Sequence, residues 1–236
     1  RMAEPENIVS FLERDLLEKL PLKGKKILIT AGPTYEAIDP VRFIGNHSSG
    51  KMGFDIANEA ANKGAEVILV TGPTHLNVQN SAIKLIRVTS AQEMFDACHE
   101  FYNSVDVAIA AAAVADYRPK NVAEQKIKKN EATFSIELEK TKDILASLGE
   151  QKKKQFLIGF ALETENEIEH AKQKIQKKNL DLIVLNSLND KGAGFGLPTN
   201  KVTFISKDFI VEPKELKSKE EVAQDIINKV IQFYDA

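Results

Sequence analysis

Three groups of polar residues in this chain have the types and the spacing to bind a polyanion. The longest lies in residues 30–53, TAGPTYEAIDPVRFIGNHSSGKMG, where Asn46, His47, Ser48 and Ser49 run into Gly50 at the start of a helical pattern. At such a junction free backbone N–H groups and the helix dipole converge, and glycine lets a ligand approach closely. An anion is the expected occupant. The second group is Lys126, Lys128 and Lys129 (KIKK), within the polar, proline-bearing residues 116–130. Alternation puts Lys126 and Lys128 on one side of an extended flap, where ammonium groups can neutralise a triphosphate as it closes. The third is Lys174 and Lys178, four residues apart on one helical face and within reach of one anion. Alone, the KIKK group reads more readily as solvated surface and the Lys174/Lys178 pair equally well as one; the second basic group beside the first tips the balance toward a site.

Two familiar nucleotide motifs nearly fit. Gly45, Gly50 and Lys51 have the spacing of a phosphate-binding P-loop, but Met52 stands where a Mg²⁺-binding Ser or Thr is required, and the loop does not leave a strand directly. Gly50 and Gly53 imitate part of a dinucleotide fingerprint. The next strand, however, ends Thr71-Gly72-Pro73, without the acidic residue that holds an adenosine ribose. A P-loop kinase is therefore disfavoured. An NAD(P)-dependent reductase and a non-catalytic nucleotide-binding module stay open as alternatives.

Composition narrows the classes further. With 236 residues, 43% of them apolar, the chain can bury one sizeable core. A net charge of −2 gives no basic field for nucleic acid. The single cysteine, Cys98, excludes an internal disulfide, and four histidines without cysteine neighbours argue against structural zinc. No apolar run reaches the roughly 18 residues of a membrane span, and no signal-peptide order is visible. A cytoplasmic protein is expected, with no membrane and no nucleic-acid partner.

The elements that must position these groups follow from periodicity. Residues 5–20 carry Ile8, Phe11, Leu12, Leu16 and Leu20 at helical spacing, an amphipathic helix that must dock on something. Strands are expected at residues 26–30, 65–71, 83–88, 105–114, 133–139, 156–161 and 182–185. A helix spans 51–63. Ser90 and Glu93 cap another, with Met94, Ala97, Cys98 and Phe101 inward. A short helix starts near residue 142, Thr164 and Glu167 cap one with Ile168, Ala171 and Ile175 inward, and Ser218 and Glu221 cap the last. Residues 186–200 read as a loop, and 202–206 with 209–211 as an edge hairpin. Alternating strands and helices predict an α/β fold: a doubly wound, mainly parallel Rossmann-like sheet with a C-terminal edge hairpin and a mobile flap. Ligands then bind at the carboxyl ends of the strands. The alanine-rich end of residues 105–114 would let one reach the backbone. About twenty residues part the first strand from its helix, far more than most such connections need.

Taken together, AGPTYEAIDPVRFIGNHSSGKMG, AAAVADYRP, KIKK and NLDLIVLN resemble the signature set of bacterial phosphopantothenoylcysteine synthetases, from about residue 25 to the C-terminus. The opening RMAEPENIV resembles the closing segment of the decarboxylase domain that precedes the synthetase in the bifunctional bacterial proteins. The resemblance implies a lead-in from that domain at residues 1–22 and a synthetase domain at 23–236. It implies a ligase of coenzyme A biosynthesis that joins phosphopantothenate to L-cysteine, using CTP with Mg²⁺ and releasing pyrophosphate and CMP through an acyl-cytidylate. FMN is expected only in the decarboxylase domain, and a homodimer is implied.

Carried over to this sequence, the resemblance gives Asn46 the transfer of the activated acyl group to cysteine, Arg42 the place of an essential arginine, and Lys126 a part in activation. Nucleotide contacts fall on Ala110, Ala111, Ala112, Asp116, Lys126, Lys142, Asp143, Ile144, Leu145, Phe160, Lys174 and Lys178. Asn46, Ser48, Ser49 and Gly50 are the expected acyl-substrate contacts. Mg²⁺ is held mainly by nucleotide phosphates, with Asp116 a candidate ligand. Thr141-Lys142-Asp143 departs from the family's common Asn-Pro-Asp. His47 is a weaker candidate general base.

Overall fold

The computed structural model describes residues 4–128, 133–163, 165–187 and 196–235. In chain order the first half runs α1 (Pro5–Glu18), β1 (Lys26–Ala31), β2 (Tyr35–Ala37), β3 (Phe43–Gly45), α2 (Lys51–Asn62), β4 (Glu66–Thr71), β5 (Ile83–Arg87) and α3 (Ala91–Tyr102). There follow β6 (Val107–Ala110), β7 (Tyr117–Pro119), β8 (Leu138–Lys140), α4 (Ile144–Gln151), β9 (Phe156–Glu163), α5 (Glu167–Lys177) and β10 (Leu182–Ser187). The chain ends with β11 (Thr199–Asn200), β12 (Val202–Ser206), β13 (Val211–Pro213), β14 (Lys217–Ser218) and α6 (Lys219–Asp235).

Short apolar runs such as KILITA and EVILVT make strands buried on both faces, as a parallel sheet under two helical layers requires. The central sheet has the order β13-β12-β10-β9-β6-β1-β4-β5. From β10 to β5 all neighbours are parallel; β12 and β13 add an antiparallel edge. Side chains alternate between two cores. Ile27 and Ile29 of β1 face the layer of α2 and α6, whereas Leu28 faces α3, α4 and α5. Full burial of each contributes roughly 1.5–3 kcal/mol.

The expected doubly wound sheet with an edge hairpin is what forms, and several local expectations need correction. The strand expected over 105–114 ends at Ala110, because the next backbone groups bond sideways: Ala112 N–H donates to Thr30 Oγ1 and Ala113 N–H to Gly32 O. Residues 116–130, read as patternless, begin with β7, which pairs antiparallel with β8. The strand expected over 133–139 is confined to Leu138–Lys140. Helix α5 starts at Glu167 with Asn166 as its N-cap, in place of the cap expected at Thr164, which lies outside the described residues. Ala171 and Ile175 are buried there as expected, but Ile168 is exposed. On α1, Leu16 and Leu17 are more than half exposed, so its apolar side does not dock fully within this chain. The capping boxes at Ser90/Glu93 and Ser218/Glu221 form as read. Among the described residues no helix is long and apolar enough to cross a membrane.

Two predictions follow from this packing. Cys98 is fully buried, and burial pushes its thiol up to about 12. Thiol reagents at pH 8 should leave the folded protein unlabelled and titrate one group in denaturant; rapid labelling of the native state would contradict the placement. A Cβ added at Gly53 would lie 2.5 Å from Ala31 Cβ and 3.0 Å from Thr30 O, so α2 sits hard against β1. Helix propensity favours Gly53→Ala by about 1 kcal/mol, but overpacking against an unyielding strand costs about 1–3 kcal/mol. The urea midpoint should therefore fall, and a rise would show that the helix can move away.

Candidate functional site

A cavity of about 760 Å³ opens at the carboxyl ends of β1, β6, β9 and β10. Its centre is the gap between β1 and β6, where the strand order reverses: β4 and β5 continue to one side, β9 and β10 to the other. At such a switch point the crossovers leave to opposite sides and a crevice stays uncovered.

The β1–α2 loop forms one wall. It carries the β2–β3 hairpin and returns to the sheet at Asn46, whose amide donates to Ala113 O and Val114 O, each at 3.1 Å. Together with the bonds from Ala112 and Ala113 to the loop, this draws the alanine segment into the crevice and leaves Ala110, Ala111 and Ala112 half-buried on the cavity wall. The loop ends at Gly50, with φ +82° at the N-cap of α2 and no side chain to cap its first turn. Ser48 Oγ accepts from Gly50 N–H at 3.3 Å, and Thr74 Oγ1 donates to Ser49 O at 2.9 Å, which fixes the turn. Ser48, Ser49 and Gly50 all line the cavity.

The opposite wall is built on α4 and α5. Asp143 caps α4, accepting from Ala146 N–H at 2.9 Å, and its carboxylate lies 2.8 Å from Lys178 Nζ. Burial alone would raise the Asp143 carboxyl; the Lys178 ammonium and the Ala146 N–H outweigh it and hold it below its ordinary value. Lys142 Nζ stands 4.5 Å from the centre of the Phe95 ring, so its charge is steered along the wall. Thr141 Oγ1 donates to Ala115 O at 2.6 Å and ties this wall to the alanine segment. Asp116, Lys142, Asp143, Ile144, Leu145, Phe160 and Lys178 face the same cavity as Asn46.

Of the expected residues, Lys126, Arg42 and Lys174 stand outside this lining, and so do the flap lysine Lys128 and the candidate base His47. Lys126 is exposed on the flap, as is Lys128; Lys129 lies outside the described residues. Arg42 pairs with Asp39 and reaches Ile127 O at 3.0 Å. Lys174 pairs with Glu163 at 2.5 Å, so Lys174 and Lys178 hold separate carboxylates rather than one anion. His47 is exposed and does not line the cavity.

Sequence reasoning missed the cavity's far corner. Lys219, the first residue of α6, is buried there, and burial lowers its pKa. Beside it Lys51 bridges Asp55 at 2.9 Å and Glu220 at 2.8 Å, joining the N-termini of α2 and α6. The available signal was the Ser218/Glu221 box, which puts a lysine in a first turn where the helix dipole disfavours a cation. Asn186 and Asn200, joined at 3.1 Å, complete that corner. Among the described residues no group of three or more His, Cys, Asp or Glu could hold a metal ion by itself. Asp116, an exposed carboxylate at the cavity, suits an ion that takes most of its ligands from phosphate and water.

Residues 22–234 match the family described as DNA/pantothenate metabolism flavoprotein C-terminal domain. A Bacillus subtilis protein described as coenzyme A biosynthesis bifunctional protein CoaBC is 46% identical over 98% of this chain and 57% of its own length. A protein from an unknown prokaryote, described as cysteine/cysteine sulfinic acid decarboxylase, is 51% identical over 98% of this chain and 66% of its own length. The crystal structure of the C-terminal domain of a CoaBC protein has a TM-score of 0.79 at 48% identity, covering 92% of this chain and 99% of that one. The chain thus spans between 57% and 66% of the length of these two relatives. It belongs to the DNA/pantothenate metabolism flavoprotein C-terminal domain family.

Proposed function

We propose that this domain is a phosphopantothenate–cysteine ligase of coenzyme A biosynthesis, driven by CTP and acting through an acyl-cytidylate. The observation that carries the reading is the single crevice at the switch point. It brings the Gly50 helix start and Asn46 together with the alanine segment, Asp143 and Lys178. An acyl substrate bearing a phosphate fits the Ser48–Gly50 end, and a nucleotide fits the wall formed by Ala110, Ala111, Ala112, Asp116, Phe160 and the start of α4.

In the first step a carboxylate oxygen attacks the α-phosphorus, the bond to the β-phosphate oxygen breaks, and pyrophosphate leaves with its electron pair. Negative charge accumulates throughout, so positioned cations dominate the rate. Lys178 moves from Asp143 to the β and γ phosphates, Lys174 joins it from Glu163, and the Lys126 ammonium swings in from the flap toward the α-phosphate. Asp116 would hold Mg²⁺ together with the nucleotide phosphates, and the ion would supply further neutralisation. In the second step the cysteine amine attacks the acyl carbon and CMP departs with the bridging oxygen. Asn46, tethered to the alanine segment through its amide donors, frames the acyl site, and backbone N–H groups at the α2 start hold the mixed anhydride or its oxyanion.

The assembly proposed around this site is a homodimer in the cytoplasm, fused through residues 1–22 to a decarboxylase domain. Exposed Val41, Phe43 and Val122 on the hairpin and flap favour a self-association face.

Pyrophosphate release from phosphopantothenate, CTP and Mg²⁺, followed by product formation on adding cysteine, tests the assignment; binding of CTP without pyrophosphate release would mark a non-catalytic module. Asn46→Asp should still release pyrophosphate, accumulate acyl-cytidylate and form product roughly 100–1000-fold more slowly. Lys126→Gln should slow pyrophosphate release by a similar factor. Normal product formation by the first variant, or undiminished pyrophosphate release by the second, removes that residue from its role.

A further inference from the structure

Asp39 carries a fully enclosed carboxylate, yet it does not line the cavity. Its Oδ1 accepts the N–H groups of Val41 at 2.8 Å and Arg42 at 2.9 Å, as an aspartate at a tight turn does. The turn does not explain Oδ2. That oxygen accepts from the Arg42 guanidinium through Nε at 3.0 Å and through Nη2, and also from Ile127 N–H at 3.1 Å. Arg42 Nη2 donates in turn to Ile127 O at 3.0 Å. Both backbone groups of one flap residue are therefore gripped by a single carboxylate–guanidinium pair, 88 residues distant along the chain from Asp39. Ala123 N–H adds a second tie, to Ile38 O at 3.0 Å.

The residue so held stands between Lys126 and Lys128. Ile127 is half-buried while the two lysines are exposed, the arrangement of an extended backbone with alternate side chains on opposite sides. The gripping pair belongs to the loop that delivers Asn46 to the crevice. The Arg42 hydrogen bond and the three backbone N–H groups outweigh burial and hold the Asp39 carboxyl well below the usual carboxylate range. It therefore remains ionised at any pH at which the enzyme would be assayed.

We propose that Asp39 and Arg42 form a latch that fixes the flap backbone at Ile127 and thereby positions Lys126 for the nucleotide-activating step. The proposal rests on the part given to Lys126 above. Asp39 is a positioning residue: it touches no reactant and acts through Lys126, whose Cα is held while only the side chain swings. Less conformational freedom is then lost when the ammonium meets the phosphate. The latch also gives Arg42 a function away from the cavity lining.

The test uses Asp39→Asn and, should that variant fold poorly, Arg42→Lys, which keeps a cation beside Asp39 but loses the fork that reaches Ile127 O. Folding is monitored by thermal unfolding. Trypsin acting on the folded protein should cut after Lys126 or Lys128 roughly tenfold faster in either variant, since cleavage follows the population of the released flap. The rate of pyrophosphate release should fall roughly 10–100-fold in either variant, while in Asp39→Asn acyl transfer to cysteine from preformed acyl-cytidylate keeps its rate. In a Lys126→Gln background, Asp39→Asn should cost little more, because two residues acting as one unit are not additive. Unchanged tryptic cleavage would overturn the latch itself. The same loss of rate with and without Lys126 would overturn its action through that lysine. Absence of pyrophosphate release by the wild type would instead refute the ligase reading, and the tryptic comparison would still report on the latch.

Discussion

Strands β1 and β6 lie side by side and parallel, but the chain leaves them toward opposite edges of the sheet, so no crossover helix covers the gap between their carboxyl ends. The rest of the site is arranged around that gap. Beyond its far end a central strand would leave unpaired peptide groups, and a buried unpaired group costs about 1–3 kcal/mol. The end of β1 and the β1–α2 loop supply the missing partners: Thr30 of β1 and Gly32, Thr34 and Asn46 of the loop take up the backbone of residues 112–115. The long loop thus satisfies the end of β6 and at the same time brings Asn46 and the Gly50 turn to the crevice. Small side chains at Ala110–Ala112 then leave room for a ligand against the backbone.

Charge around the crevice is held in ion pairs and one lysine-centred triad. Lys178 sits on Asp143, Lys174 on Glu163, and Lys51 on Asp55 and Glu220. Such a site combines high local charge with a chain whose net charge is only −2. The Lys174 side chain is 40% exposed and that of Asp143 52%. With one partner of each in water and the other largely enclosed, these pairs are weakened by solvent screening, and a polyphosphate can compete with the carboxylates for the lysines. The Asp39–Arg42 pair is different in kind: it is enclosed on the carboxylate side and joined to backbone, and it organises chain rather than reserving charge for a ligand.

What the sequence made legible was whatever depends on neighbours close along the chain. Helix α3 and helix α6 announced themselves through Ser90/Glu93 and Ser218/Glu221, and β1 and β4 through unbroken aliphatic runs. The glycine turn before α2 was readable for the same reason: the anion-binding character of a helix start is local. What escaped depends on partners far along the chain. Nothing within residues 105–114 shows that the strand must stop at Ala110, because the competing acceptors belong to residues 30–32. Residues 116–130 have no period of their own, since β7 acquires its pairing from β8 and the flap its anchorage from Ile38, Asp39 and Arg42. Lys219 was passed over, despite its unusual place in a first turn, because a lysine at a helix start ordinarily faces water; here it is buried where α2 and α6 meet. The resemblance to the synthetases named residues on both cavity walls, but it carried no information on which of them the fold gathers into one lining, and Lys126, Arg42 and Lys174 lie beyond it.

In the proposed function these features serve one chemical event, attack by a carboxylate oxygen on the α-phosphorus of a nucleotide held in the crevice. The most direct measurement is the fate of that oxygen. With phosphopantothenate labelled with ¹⁸O in its carboxylate, a full turnover in the presence of CTP and cysteine should place one labelled oxygen in CMP and none in pyrophosphate, read by mass spectrometry. Label in inorganic phosphate, or CMP free of label, would mean that the acyl group is activated elsewhere on the triphosphate or not by it at all.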